Sequence, residues 1–246
     1  MRQSPLFSSI QTSEAYRDTT NSATYKGICL KTFFLLAITA VVAAITGFYL
    51  PTIITSGNFN AFYIALIISS IVGFISVMVG RMNDNAAKYV SLIYSICEGL
   101  FVGCITAICN ELVNGACGIA VFSTLVIFLV MLTLFATGVL RVTNTFRKIC
   151  MAIGIGSIAL LLVLLISSMF ITDIKTYLGL CIGMEAFLLL YGVITLTFNF
   201  AEAQAVVESG CSKNAEWSVA LGLLVSVVYI YVEVLRLISY IAMSKD

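Results

Sequence analysis

Seven apolar stretches, each near the ~20 residues that a helix needs to cross a hydrocarbon core, divide this chain of 246 residues. They run from Cys29 to Leu50, Ala61 to Gly80, Tyr89 to Cys109, Gly118 to Leu140, Cys150 to Ile171, Tyr177 to Phe198 and Trp217 to Met243. Backbone polar groups in lipid must be satisfied within their own segment, so runs of this length are helices. Neither proline, Pro5 or Pro51, falls inside a run, which predicts uninterrupted helices. Only 10% of residues are charged, against ~25% in soluble domains. With a mean hydropathy of +1.08, the chain reads as an all-α integral membrane protein with seven transmembrane helices.

Residues 1–28 are polar and rich in Ser and Thr, without an A-x-A cleavage site. They read as a retained cytoplasmic N-terminal tail ahead of a seven-helix domain over 29–246. Lysine and arginine placement sets the orientation. With the N-terminus in the cytoplasm, ten basic residues lie on or near that side: Arg2, Arg17, Lys26, Lys31, Arg81, Lys88, Arg141, Arg147, Lys148 and Lys213. Only Lys175, Arg236 and Lys245 fall toward the other. A seventh segment that re-enters the membrane without crossing it would return the C-terminus to the cytoplasm.

Several function classes are disfavoured. A net charge of +1 without a basic cluster gives no footing for nucleic acid. Histidine is absent, which removes histidine-ligated zinc and any histidine pH switch. The eight cysteines are scattered without a CxxC and read as small packing residues. With no nucleophile elbow or metal-ligand spacing, neither an enzyme nor a bound cofactor is expected.

An offset of 87 residues maps spans one to three closely onto spans four to six. Two three-span units would have opposite topology, so the spacing points to a 3+3 inverted repeat plus one helix, with loop-length coincidence as the alternative. The same offset relates Glu98 to Glu185. The repeat therefore predicts two glutamates at equivalent depth, approaching from opposite sides.

Glu98, Glu185 and Glu233 are the acids well inside apolar runs. Such groups cost roughly 2.5–3.5 kcal/mol on insertion scales and usually face the bundle interior or a watery cavity. Glu98 precedes Gly99 and Gly103, and Glu185 follows Gly179 and Gly183. Both are GxxxG spacings that let helix backbones approach. Each glutamate reads either as a protonated carboxyl holding helices together or as part of an ion or proton path. Glu233 and Arg236 share a helix face at i, i+3, and a neutralised pair costs less in hydrocarbon than two lone charges. Glu202 and Glu208 open a polar loop before Trp217, which is placed as an interfacial anchor.

YSICEGLFVGCIT in span three resembles the YxxxEGLFLGxIS stretch of the bacterial YccA-like branch of the Bax inhibitor-1 family. EWSVALGLLVSVVYIYVEVLRLISYI is similar to that branch's C-terminal ending, and SPLF with YKGICLKT resembles its opening. The resemblance implies six helices packed around a central seventh. It also implies a pH-sensitive calcium leak channel or cation transporter of the bacterial inner membrane, and an association with the membrane protease FtsH. The family's pH sensor is a pair of acids, one near the end of span six and one in span seven. Glu233 falls on the seventh-span position. For the partner, Asn199 stands near the usual aspartate, and Glu202 is the nearest acid. Some members carry a further glutamate in span two, and this chain has none there.

Two readings follow. In the first, intramembrane carboxylates gate a cation path: Glu233 senses protons with Arg236 as counter-charge, Asn199 or Glu202 is its partner, and Glu98 and Glu185 line the path. Calcium would bind transiently at Glu98, Glu185 and Glu233, whose oxygens are its preferred ligands. In the second, the chain transports nothing and modulates, or is a substrate of, an FtsH-type protease that grips the polar tail.

Overall fold

The computed structural model describes residues 22–55, 59–137, 148, 152–157, 159–160, 162–163 and 173–244. Six long helices are defined among them: α1 (Tyr25–Thr55), α2 (Phe59–Met82), α3 (Asp84–Leu112), α4 (Ala116–Ala136), α5 (Ile174–Glu208) and α6 (Ala215–Met243). All six are long and apolar enough to cross a membrane. Helices α5 and α6 are the sixth and seventh predicted spans. The fifth, Cys150 to Ile171, lies mostly outside the described residues, although 152–157 are helical. The comparison of the two predicted repeats runs through that span and lies partly outside them too. Residues 1–21 of the predicted tail are likewise not described.

Helices α1, α2, α3, α5 and α6 exceed their apolar runs, because flanking residues continue them to identifiable stops. Asn83 accepts from the Asn85 amide and caps α3, and Asp173 accepts from the Thr176 amide and caps α5. Such side chains satisfy amides that have no partner inside the helix. Pro51 lies in the last residues of α1, beyond the membrane span Tyr25–Leu50, and the helix runs past it to Thr55 without interruption. Helix α5 ends in a left-handed glycine, Gly210, at φ 67°. The Gly210 amide bonds the Val207 carbonyl and the Cys211 amide bonds that of Val206, a paired closure that saturates the final carbonyls and turns the chain back toward α6.

Helix α6 is the hub. It packs against each of the other five, and 72% of its apolar centre is buried, against 11–39% for the others. The outer helices instead expose large side chains such as Phe33, Phe48 and Phe74. In water that surface would be a liability, and in lipid it is the required coat. The expected arrangement around a central last helix is thus present in the described helices.

Small residues set the closest approaches. A Cβ added at Gly99 would lie 2.7 Å from Val42 Cβ, and one at Gly103 would lie 2.5 Å from the Ala43 carbonyl oxygen. This GxxxG face therefore seats α3 directly on the α1 backbone. Its counterpart behaves differently: Cβ atoms at Gly179 and Gly183 would meet nothing within 4 Å among the described residues. The close approach of α5 to α6 occurs at Gly192 instead, against the Tyr229 ring.

Candidate functional site

Polar side chains gather at three levels along α6. The first is at its start, the entry end, where α1 and α3 also begin. Glu216 is completely buried there. The Thr24 amide and hydroxyl donate to Oε1 at 2.8 and 3.2 Å, and Lys31 Nζ donates to Oε2 at 2.7 Å. Lys31 also donates to the Lys213 carbonyl and lies 5.0 Å over the Trp217 ring. Gly27 leaves the space, since a Cβ there would overlap the carboxylate. Ser22 and Ser212 form an isolated bridge beside it. Every oxygen of this acid has a donor. The sequence reading missed Glu216 because it adjoins a polar loop; the signal was a lysine at the matching end of the first span.

The second level lies about two turns further along. Asn199 Nδ2 donates to the Gly222 carbonyl at 2.9 Å and to Ser226 Oγ at 2.5 Å. Arg81, at the end of α2, reaches over the same glycine, where a Cβ would stand 2.7 Å from its Nη1. Its guanidinium pairs with Glu202 at 2.7 Å. Gly222 and Glu233 are eleven residues apart, so at 1.5 Å per residue this level sits roughly 16 Å from Glu233 along the helix. Neither Asn199 nor Glu202 partners Glu233, and that expectation is overturned. The amide at 199 instead satisfies the backbone of the hub, and the acid at 202 neutralises Arg81.

The third level lies deep in the bundle. Glu185 of α5 and Glu233 of α6 are 7% and 3% exposed, with their carboxyls within hydrogen-bonding reach of each other. Arg236 Nη1 stands 3.7 Å from Glu185 Oε1 and 3.9 Å from Glu233 Oε1. These are ion-pair separations longer than a hydrogen bond, so Arg236 neutralises charge without donating. The Tyr229 hydroxyl is in reach of Glu233 and donates to the Leu188 carbonyl at 3.3 Å. Oε2 of Glu185 and Oε2 of Glu233 are buried with no partner. Two facing carboxylates offer four acceptor oxygens and no donor, so they can bond each other only through a proton or an intervening cation. The second acid of the pair therefore comes from the middle of α5 and not from its end.

Glu98 reaches this level from α3. Tyr94, one turn before it on α3, lines the same cavities beside it. Glu98 is separated from Glu233 and Arg236 by a cavity of about 260 Å³ that all three line. Glu98 and Glu185, expected at equivalent depth from opposite sides, both approach α6 near Arg236, the first from α3 and the second from α5. Among the described residues no three acid, cysteine or histidine side chains stand close enough to hold a metal. A Ca²⁺ ion takes 6–8 oxygens, so Glu98, Glu185 and Glu233 do not form one resident calcium cage.

No curated protein and no solved structure matches the chain. The family model described as Bax inhibitor 1 like matches residues 4–243. That range takes in all three polar levels and all six helices, and this multi-pass membrane protein belongs to the Bax inhibitor 1-like family.

Proposed function

We propose that the protein is a pH-sensitive cation leak, with calcium as a cargo, whose gate is the Glu185–Glu233–Arg236 cluster. The observation that carries this reading is the pair of buried, unpartnered carboxyl oxygens. Leaving such atoms without a donor costs about 1–3 kcal/mol each, and a proton or a cation between the carboxyls removes that cost. Two acids against one arginine leave one negative charge in excess when both are ionised. Arg236 holds the position an incoming cation needs, and its side chain is 44% exposed, so it can swing aside. Protonating the carboxyl pair removes the attraction and with it the reason for Arg236 to stay or for a cation to enter.

Lys31 and Lys213 at the start of α6, with Arg81 at the next level, favour placing that end in the cytoplasm, and an inner membrane is the setting of this reading. Calcium flux into dye-loaded proteoliposomes between about pH 6 and 8 tests the assignment. Flux should respond to pH in the parent protein and lose that response in Glu233→Gln and in Glu185→Gln. An unchanged pH profile in both variants would remove the cluster from the gate.

A further inference from the structure

A second opening lies on the lipid side of the bundle. A cavity of about 300 Å³ between α2 and α3 adjoins the one that reaches Glu233, and the two share Tyr94, Glu98, Phe101 and Val225. Phe74 and Phe101, on its rim, are 69% and 41% exposed. Glu98 stands fourteen residues into α3, roughly 21 Å along it, so the mouth opens onto acyl chains and not onto water. The groove is the size of a small-molecule site, yet the adjoining cavity carries it inward to Glu233 and Arg236 of α6. Its charge is unbalanced as well: Glu98 and Glu233 line the joined cavities with a single arginine, Arg236, which is already shared between Glu233 and Glu185.

We propose that this groove binds an amphipathic organic cation, a lipophilic amine, quaternary ammonium or phosphonium, drawn laterally from the bilayer. A hydrated metal ion cannot approach through hydrocarbon, and an anionic lipid headgroup would meet surplus negative charge. An aromatic or branched cation partitions into the membrane and presents its charge to Glu98. Tyr94 and Phe101 supply ring faces that favour a cation within about 6 Å. The site shares Glu233 with the ion-path reading and is distinct from it in outcome, because binding here needs no transport and transport needs no occupant here.

The test is equilibrium binding of radiolabelled tetraphenylphosphonium to the protein in nanodiscs of neutral phosphatidylcholine. Saturable binding is expected above that of empty nanodiscs, weakened about tenfold or more in Glu98→Gln by loss of a partly buried charge pair. Gly73→Leu should abolish it without touching any charge. Gly73 lines the groove, and a Cβ there meets only ordinary contacts, 3.7 Å from Cys97 Cβ and 3.8 Å from Tyr94, so the added bulk extends into the space. Excess triphenylphosphine oxide, neutral and of similar shape, should not compete. Uptake equal to empty nanodiscs, undiminished binding in both variants, or full competition by the neutral compound would each overturn the proposal, the last in favour of an acyl chain as occupant. Loss of calcium flux with binding intact, or the reverse, separates this site from the gate.

Discussion

At the start of α6 the Glu216 carboxylate receives three hydrogen bonds, one of them from a lysine in direct contact. Seventeen residues on, roughly 25 Å along the same helix, Glu233 has an acid for a neighbour, an arginine too distant to donate, and an oxygen with no partner. Both acids are buried in the hub. The difference lies in the donors provided. A fully satisfied polar network fixes geometry, whereas a half-satisfied one leaves an unmet demand that only a proton, a cation or a rearrangement can meet. The first level therefore ties α1 to α6, and the third is the one with chemistry left to do.

The comparison can be broken most severely at the satisfied end. Lys31→Ala strands a buried carboxylate and should cost about 3 kcal/mol or more, seen as a large fall in thermal unfolding temperature in detergent. A small fall would mean that Glu216 is not held as described. The opposite response is expected deeper in. Glu185→Gln supplies an amide donor to Glu233, so stability should hold or rise by about 1 kcal/mol while the pH response of flux disappears; destabilisation matching that of Lys31→Ala would erase the contrast. Arg81→Ala sharpens it from the middle level. Its pair with Glu202 is more than a third exposed on each side, so a loss under about 1 kcal/mol is expected, with flux unaffected in its pH dependence.

The smallest effect concerns Asp173, outside the spans. Hydrogen bonds from the Thr176 hydroxyl and amide hold its carboxyl below the usual 3.8. A depressed folded-state value means that the cap supports α5 above the ordinary aspartate range and is lost as pH falls through the lowered value. An NMR titration should show the Thr176 amide shift moving with a midpoint below that of an unstructured aspartate. A midpoint at or above it would show that the cap does not form.

Several of these features were readable from the chain. Apolar run length determines a spanning helix, and the i, i+3 placement of Glu233 and Arg236 puts them on one face before any fold is known. Gly99 and Gly103 likewise announced a close approach, which α1 provides. The carboxyl that faces Glu233 was not readable as such, because matching residues across an antiparallel pair requires the register that the turn at Gly210 sets. The family resemblance drew attention to Asn199 and Glu202 at the end of the sixth span, whereas the geometry carries Glu185 to the right height. Glu216 was hidden for a related reason: a charge beside a polar loop reads as solvated until the helix starts are known to converge. Gly179 and Gly183 carried the same spacing as the working GxxxG and no contact among the described residues, since spacing permits an approach and cannot supply the neighbour.

The most enclosed helix, α6, is also the last of the six in the order of synthesis. While the ribosome is still making the α5–α6 turn, the earlier helices have no hub to pack on, and the Gly80 and Gly192 faces that α6 will cover stand open to lipid. The Ser22–Ser212 bridge and the Lys31–Glu216 pair form only once both ends of the helical domain are present. Assembly is thus gated by completion: a chain stalled before Ala215 lacks both its core and its clasp, and membrane quality control would meet it as an unfinished ring.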